Sequence, residues 1–358
     1  MNQGVIRPRI ALWPGDELEP VSNCPICGSS ARRTMHPALI DDTFFTAAGE
    51  WKLQGCGDCG SAYLDPRPTS RSIARAYARY YTHAPEHRGR AGGLKLRIKA
   101  LMRVFSDAYI ASLRDGAAGR SGFSRQAAAA CIRLAVPFRE VIDAQFRHLR
   151  SPAPDRNRLL DLGCGAGDFL ERAKLLGWRA EGVDFDPQAV AAARARGLEA
   201  REGSIDSYAD TCGEFDVVTC NHVIEHVYDP VQMISAIHRL LKPGGLLWIE
   251  TPNVCSAGHE LFGRAWRGLE APRHIALFSH HALVDTLQKA GFSVSRATPF
   301  NIQHIRMMFA SSEAMDRQED PSSAKTPLIP NIRLLRGLWS EIWQVHRREF
   351  VSLRALKR

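Results

Sequence analysis

The sequence LLDLGCGAGD, residues 159–168, decides the fold of this chain. Its apolar start predicts a buried strand, its glycines predict a tight turn, and the residues from Asp168 onward have helical spacing. Glycine is needed where a ligand lies against the backbone. The G-x-G-x-G spacing differs from the G-x-G-x-x-G of dinucleotide-binding folds, and no Lys-Ser or Lys-Thr follows as in a P-loop. The turn therefore predicts a ligand site that disfavours phosphate.

Strand and helix signals alternate after this turn. Further strand candidates are WRAEGVD, LEARE, FDVVTC and GLLWIE, with helical stretches over 168–176, 187–196 and 228–241. A helix over 279–290 and strands near 292–297 and 304–310 complete the set. The alternation predicts a doubly wound α/β domain, Rossmann-like, with helices on both faces of a parallel sheet. The second strand ends in Asp184, which puts a carboxylate where a ribose diol would lie.

Residues 152–310 resemble the class I S-adenosylmethionine-dependent methyltransferases. The motifs DLGCGAGDF, GVDFDP, FDVVTCNHVIEHVYDP and LKPGGLLWIETPN occur in the family's order. The resemblance implies a seven-stranded sheet with one antiparallel strand, and S-adenosylmethionine as cofactor. It implies that Asp161 and the turn bind the methionine end, that Asp184 binds the ribose and that Phe185 flanks the adenine. Ser204 stands where the family often has an acid for the adenine amine. The implied cofactor residues are Asp161, Gly163, Cys164, Gly165, Gly167, Asp184, Phe185, Ser204, Ile205 and Asn221, the last in the methionine pocket.

Candidate catalytic residues follow the fourth strand. His222, Glu225 and His226 have i, i+3, i+4 spacing and share one helical face. His274 lies in the long connection after the fifth strand and is the first candidate for a general base. The resemblance extends to nucleotide-sugar C-methyltransferases, where a Glu-His pair faces the substrate, and to small-RNA methyltransferases, where a similar element binds a metal. Three alternatives stay open for this set: base or substrate contact, a Zn²⁺ or Mn²⁺ site, and a structural brace.

Two Cys-x-x-Cys-Gly pairs stand near the N-terminus. Cys24 and Cys27, with Cys56 and Cys59, are the four thiolates that a structural Zn²⁺ takes, and the glycine after each pair lets the chain turn around the metal. No βαβ pattern surrounds either pair, so a thioredoxin-like site is disfavoured. A four-Cys module ahead of a methyltransferase core is partly similar to the nucleotide-sugar C-methyltransferases, although their large C-terminal domain has no counterpart here.

Charge is unevenly distributed along the chain. The 358 residues carry a formal charge of +9, with −2 over 1–60, +11 over 61–150, −4 over 151–300 and +4 over 301–358. The excess lies on two basic amphipathic helices predicted over 94–114 and 331–356, beside the core. They could be solvated packing helices, a surface for an anionic acceptor such as a phosphorylated one, or a contact with anionic lipid. The methyltransferase family usually builds a lid over the cofactor from the segment before the first core strand. The resemblance therefore makes Tyr80 and Tyr81 candidates to close such a lid, whereas tyrosines at helical spacing are more often core residues.

These patterns predict five segments: a zinc module (1–68), a helical lid and connector (69–150), the methyltransferase core (151–312), a linker (313–330) and a C-terminal amphipathic helix (331–358). The predicted activity is direct displacement of a methyl group onto a hydroxyl, with carbon less favoured, of a sugar, glycan precursor or other small molecule. The alternatives are a quinone or phenolic O-methyltransferase, whose ubiquinone-type members share the Glu-His element, and a nucleic-acid-binding protein with a vestigial core. Reduced thiols and the absence of a long apolar run predict a cytoplasmic location, with peripheral membrane contact as a further option.

Overall fold

The computed structural model describes residues 12–77, 104–114, 123–295, 302–324 and 330–358. The N-terminal part contains five short strands: β1 (Leu18–Glu19), β2 (Arg32–Leu39), β3 (Trp51–Cys56), β4 (Ala62–Leu64) and β5 (Arg67–Pro68). A 3₁₀ helix, Ile73–Tyr77, follows them. Three helices then precede the core: α1 (104–114), α2 (Phe123–Leu134) and α3 (Val136–Gln145).

The core begins with the strand and helix that the glycine turn connects. Its elements run β6 (Arg158–Leu162), α4 (Asp168–Leu175), β7 (Arg179–Asp184), α5 (Pro187–Ala195), β8 (Glu199–Glu202), β9 (Phe215–Asn221), α6 (Pro230–Leu240) and β10 (Leu241–Pro252). After these come α7 (Ala257–Phe262), β11 (Ala276–Leu277), α8 (His280–Lys289), β12 (Phe292–Val294), α9 (Ile302–Asp316), α10 (Ile332–Trp343) and β13 (Phe350–Lys357).

Seven strands form the central sheet in the order β12-β13-β10-β9-β6-β7-β8. β10, β9, β6, β7 and β8 are parallel, whereas β13 is antiparallel to both of its neighbours. This is the predicted Rossmann-like sheet with one antiparallel strand, and the fold prediction is confirmed. Because the parallel strands end at one edge, Asp161, Asp184, Asn221 and Glu250 come near one another along that edge.

Two predictions about the C-terminal third are wrong. Residues 304–310 lie within helix α9 and not in a strand, and the helix predicted over 331–356 ends at Trp343. Phe350–Lys357 is instead the antiparallel strand, in which Val351, Leu353 and Ala355 are buried in alternation. Alternate residues of a strand share a face, and the same apolar residues also satisfied the helical period over this short run. The sheet therefore extends beyond residue 312, where the core was predicted to end.

The N-terminal module shares its core with the methyltransferase domain. β11, from the connection after β10, adds to the module's sheet in the order β11-β4-β3-β2, with Ala276 opposite Tyr63. Cys24, Ile26 and Tyr63 belong to one buried apolar cluster with residues of the central sheet. Tyr80, Tyr81 and residues 94–103 of the predicted basic helix lie outside the described residues. Across the described ranges, no helix combines the length and hydropathy that crossing a bilayer requires.

Candidate active site and metal centres

The glycine turn lies against the end of β7. The amide of Gly165 donates to Asp184 Oδ2 at 2.8 Å, and the amide of Asp186 donates to Oδ1 at 3.0 Å. Gly163 and Gly167 have positive φ, and a Cβ at either would come within 2.4 Å of Val223 or Leu198. Gly165 also has positive φ, but no atom lies within 4 Å of its Cβ position. Gly163 and Gly167 thus let the turn pack closely against neighbouring side chains. The space beside Gly165 is open, as a ligand-binding turn requires.

Asp161 is fully buried beneath this turn, and its carboxylate is held by two neighbouring side chains. Arg147 Nη1 donates to Asp161 Oδ1 and, at 2.6 Å, to Thr219 Oγ1, and Thr219 itself donates to the same carboxylate oxygen at 2.8 Å. The guanidinium of Arg147 also lies 3.7 Å from the ring centroid of Phe169. Burial raises the pKa of Asp161, and Arg147 opposes that shift. Asp161 Oδ2 has no hydrogen-bond partner among the described residues.

The predicted adenine end is framed by aromatic and polar side chains. Phe185 is 61% exposed, and the Tyr77 ring lies edge-on to it at 5.2 Å between centroids. Ser204 accepts from the amide of Asp206 and caps the 3₁₀ helix that begins at Ile205. Asp206 therefore places a carboxylate beside Ser204, at the position where the sequence lacked the expected acid. Cys164 is buried, and burial raises its thiol pKa to about 12.

His226, His274 and Glu225 converge below the Tyr77 ring. The rings of His226 and His274 are 4.8 Å apart, and donor atoms of all three residues lie within 4.8 Å of one another. His226 Nδ1 lies 2.9 Å from the carbonyl oxygen of Arg273 and 3.0 Å from Tyr77 Oη. His274 Nδ1 lies 2.8 Å from the carbonyl oxygen of Gly268. Since a carbonyl only accepts, the neutral form of each ring carries its proton on Nδ1 and presents the Nε2 lone pair.

The environments of these two rings differ in exposure. His274 is 5% exposed, and burial lowers its pKa to about 4, whereas His226 is half-buried. Arg273, next to His274, is fully buried and donates to both oxygens of Asp41, at 2.6 and 3.0 Å. The N-terminal module therefore anchors the segment that carries His274.

His222 turns away from His226 and lies between two carboxylates. Its Nδ1 is 3.4 Å from Glu225 Oε1, and its Nε2 is 3.6 Å from Glu250 Oε1. Burial alone would lower the pKa of His222, but Glu225 and Glu250 raise it to about 10. Burial would raise the pKa of Glu225, but the neighbouring His222 and His226 lower it to about 2. The predicted set of four catalytic candidates is thus two groups that share Glu225.

A cavity of ≈ 210 Å³ lies beside His222 at the ends of β9 and β10. Asn221 is the one predicted cofactor residue that lines it. Arg147, Glu250 and His304 line it as well, and none of the three was a site candidate from sequence. Glu250 ends a buried strand, a position at which an acid could have been flagged. Arg147 and His304 come from helical flanks with no sequence signal for a site.

The four module cysteines form one cluster. Their Sγ atoms lie within 4.8 Å of one another, with Cys24 to Cys59 at 3.7 Å and Cys27 to Cys56 at 3.5 Å. Tetrahedral Zn–S bonds of 2.3 Å would separate the sulfurs by about 3.8 Å. The two pairs also share one backbone pattern, in which the amides of Gly28 and Gly60 donate to the carbonyls of Cys24 and Cys56. The donor set and its geometry fit a closed Cys₄ zinc site.

Comparison with known proteins identifies the domain. Residues 137–297 match the family model described as a methyltransferase domain. The ubiquinone biosynthesis O-methyltransferase of Xanthomonas oryzae pv. oryzae (strain PXO99A) is 42% identical over 111 residues, 29% of this chain and 46% of that protein. The ubiquinone biosynthesis O-methyltransferase of Xanthomonas axonopodis pv. citri (strain 306) is 40% identical over 115 residues, which are 30% of this chain and 48% of that protein. The chain spans about half the length of these curated relatives.

Two methyltransferases are among the solved structures to which this chain is similar. An S-adenosylmethionine-dependent methyltransferase from Mesorhizobium loti aligns at TM-score 0.41 and 16% identity, covering 61% of this chain and 98% of its own. One from Archaeoglobus fulgidus aligns at TM-score 0.40 and 17% identity, covering 64% and 92%. The family model over residues 137–297 and the curated relatives confirm the prediction of an S-adenosylmethionine-dependent methyltransferase domain in this part of the chain.

Proposed function

We propose that this chain transfers a methyl group from S-adenosylmethionine to a hydroxyl of a small-molecule acceptor, such as a sugar or a glycan precursor. The observation that carries the proposal is the open face of Gly165 beside Asp184, next to two imidazoles with available lone pairs. When bound, the cofactor supplies an electrophilic methyl group on a sulfonium. Alignment of acceptor and methyl would provide much of the rate acceleration.

In this proposal the cofactor binds to the residues predicted from the sequence and to three further residues, Tyr77, Asp206 and Arg147. Asp184 would accept from the ribose hydroxyls with the lone pairs that the two amides leave free. Tyr77 and Phe185 would enclose the adenine, and Asp206, beside Ser204, would accept from its amine. Arg147 stands between Asp161 and the cavity, so it is the group that would contact the methionine carboxylate. Isothermal titration should show Asp184→Ala weakening cofactor binding at least about tenfold.

His226 is the group that we propose accepts the proton of the acceptor hydroxyl. It is half-buried, whereas His274, the first candidate from sequence, is almost fully buried behind it. His274 and Glu225 then act as positioning residues. A well-placed base contributes about 10²–10⁴-fold. His226→Ala should therefore lower kcat by at least about 100-fold with KM for the cofactor unchanged.

The role of His274 is tested by the pH profile. We expect His274→Gln to shift the apparent pKa of kcat and His274→Ala to lower kcat less than His226→Ala does. If His226→Ala, His274→Ala and Glu225→Ala all leave turnover unchanged, the base assignment is wrong.

A phenolic or quinol acceptor is the second candidate, and the curated relatives' names favour it. A phenol ionises near pH 10, far more readily than a sugar hydroxyl, so it needs less help from a base. Radiolabelled cofactor should be offered with nucleotide sugars, sugar phosphates and polyhydroxybenzoates in parallel. Methylation of the phenols alone, with His226→Ala still active, would select the phenolic alternative.

Zn²⁺ in the Cys₄ cluster is proposed as structural, because four thiolates leave no coordination position open. Metal analysis should find one equivalent of zinc that Cys27→Ser removes. A nucleic-acid-binding protein with a vestigial core is the rival of another class. It predicts no cofactor affinity and retention on nucleic acid that falls steeply with salt.

Helix α10 is the surface that we propose contacts an anionic membrane. Its outer face carries large apolar side chains that are 48–72% exposed: Ile332, Leu335, Trp339, Ile342 and Trp343. The exposed Arg336 lies on the same helix, and cationic amphipathic helices bind anionic bilayers in this way. Trp339→Ser with Trp343→Ser should reduce sedimentation with phosphatidylglycerol vesicles. Leu134→Ser, at an 83% exposed position on α2, is the matched control.

A further inference from the structure

A second His-Glu-His group lies next to the candidate base, on the cavity side. His222 follows β9, Glu250 belongs to β10 and His304 belongs to α9, and one donor atom from each lies within 4.8 Å of the other two. Three separate elements thus bring two imidazoles and a carboxylate together. Glu250 and His304 also line the cavity of ≈ 210 Å³.

Glu225 orients His222 from behind. It is 0% exposed, its Oε2 accepts from Thr251 Oγ1 at 2.9 Å, and its Oε1 lies 3.4 Å from His222 Nδ1. Metal-binding histidines usually donate their second ring N–H to a carboxylate in this arrangement. With Nδ1 directed at Glu225, Nε2 is the ring nitrogen that faces Glu250 and would bind an ion there. In the described structure His222 Nε2 is buried and has no hydrogen-bond partner.

The other two groups are also held in place. Ser352 Oγ donates to Glu250 Oε2, so Oε1 is the oxygen that faces His222 Nε2. The His304 ring stacks on Phe350, with centroids 4.5 Å apart and planes at 22°.

We propose that His222, Glu250 and His304 bind a divalent first-row transition metal ion of the Zn²⁺ type, with a coordination position open to the cavity. Two imidazoles and one carboxylate are a ligand set of open zinc sites. An ion there would have a position for an acceptor oxygen within the cavity. His222 also has a φ of +53°, a conformation that a non-glycine residue rarely adopts and that is frequent at functional sites.

A metal-free alternative accounts for only part of this geometry. His222 could carry two protons and bridge Glu225 and Glu250 as an imidazolium. That arrangement needs no third group, yet His304 places a ring nitrogen beside the same two side chains.

Cobalt titration of the full chain carrying one equivalent of zinc, in the Cys₄ cluster only, without cofactor or acceptor, tests the site. Co²⁺ in a site of nitrogen and oxygen ligands gives visible d–d bands without the thiolate charge-transfer band of a Cys₄ site. We expect one equivalent of such binding. His304→Ala and Glu250→Gln should each weaken it at least about tenfold, and Glu225→Gln about 10–100-fold as a carboxylate behind the ligand.

Two further variants serve as controls. His148→Ala changes a residue that lines the same cavity outside the cluster and should leave cobalt affinity unchanged. His274→Ala should also leave it unchanged, which separates this site from the Glu225, His226 and His274 group. His304→Asn keeps a polar side chain at this position. Its unfolding is measured in parallel, so that a loss of cobalt binding can be distinguished from misfolding. No uptake, uptake only with a thiolate band, or uptake abolished by His274→Ala but not by His304→Ala would overturn the proposal. Because no turnover is measured, the outcome is independent of the proposed methyl transfer.

Discussion

At the scale of single residues, Arg147 determines the state of Asp161. A fully buried carboxylate is costly unless it is paired and hydrogen-bonded, and Arg147 and Thr219 are its partners. The arginine comes from the loop after α3, so the carboxylate under the glycine turn depends on a segment that precedes the core sheet. If Arg147 contacts the cofactor as we propose, cofactor affinity and stability are coupled through this one ion pair.

Removing that partner should destabilise the fold. Arg147→Ala leaves the Asp161 charge buried and unpaired, so we expect the free energy of unfolding to fall by about 3–5 kcal/mol. Urea unfolding measures the change. Arg333→Ala breaks a pair whose side chains are 41% and 44% exposed and should cost no more than about 1 kcal/mol. Equal losses of unfolding free energy in the two variants would contradict a buried ion pair between Arg147 and Asp161.

His274 makes stability depend on pH. Its folded-state pKa is lowered from 6.5 to about 4, so between those values the unfolded chain binds more protons than the folded chain. Its contribution to stability is therefore complete above pH 6.5 and is lost as the pH falls toward 4. We expect His274→Gln to flatten unfolding free energy against pH in this window, by up to about 3 kcal/mol. His281→Gln, at an exposed position on α8, should keep the wild-type slope.

Sequence reasoning predicted those candidate site residues whose signal is local. The glycine turn, Asp184 and the cysteine pairs carry their chemistry in short spacings. Arg147, Glu250 and His304 enter the site only through tertiary contacts, because each comes from a different element and none forms a motif. Tyr77, which contacts His226 and Phe185, carries no sequence signal of its own, since tyrosines at helical spacing are more often core residues.

At the scale of elements, β13 completes the sheet and supports the cavity. It pairs with β10 from Leu246 opposite Leu356 to Pro252 opposite Phe350, and it contributes Phe350 and Ser352 to the cavity wall. Its sequence also fits the end of a helix, because α10 precedes it and the apolar residues at 350 and 353 fit a helical face. Strand pairing, which the sequence does not show, distinguishes a strand from a helix here.

Two leucines in β13 give a matched test. Leu353 is 1% exposed and Leu356 is 46% exposed. Leu353→Ala should lower the free energy of unfolding by about 2–5 kcal/mol, because it leaves a cavity in the sheet core. Leu356→Ala should change it by about 0.5 kcal/mol or less. If this segment were a helix with both leucines exposed, both substitutions would change the free energy of unfolding only slightly. That result would contradict this structure.

At the scale of the whole molecule, the cysteine module and the connection between β10 and α8 are one structure. Ser279 Oγ donates to the carbonyl of Cys59 at 2.7 Å, the Ser279 amide donates to Ser61 Oγ at 3.1 Å, and Leu64 donates to the carbonyl of Ile275 at 3.1 Å. Composition and spacing indicated a separate module at the N-terminus. The shared sheet could not be foreseen, because β11 has only two residues and no strand signal.

Loss of the metal should therefore loosen the segment that carries His274. In Cys27→Ser we expect amides over 270–279 to exchange at least about tenfold faster, since the module's sheet no longer holds that connection. Hydrogen exchange with mass spectrometry resolves this segment from α5 and β8. Cys212→Ser, at an exposed cysteine of the core, is the control. Unchanged exchange over 270–279 despite zinc loss would show that the module is a separate unit.

The position of β13 between β10 and β12 has a consequence for how the chain folds. Ser352 contacts Glu250 across 102 residues, so this pairing closes a long loop and is expected to form late. Until it forms, β10 and β12 both present unpaired edges, which are templates for association with other chains. Weakening β13 should therefore reduce the yield of correctly folded protein during expression more than it reduces the stability of the molecules that finish folding.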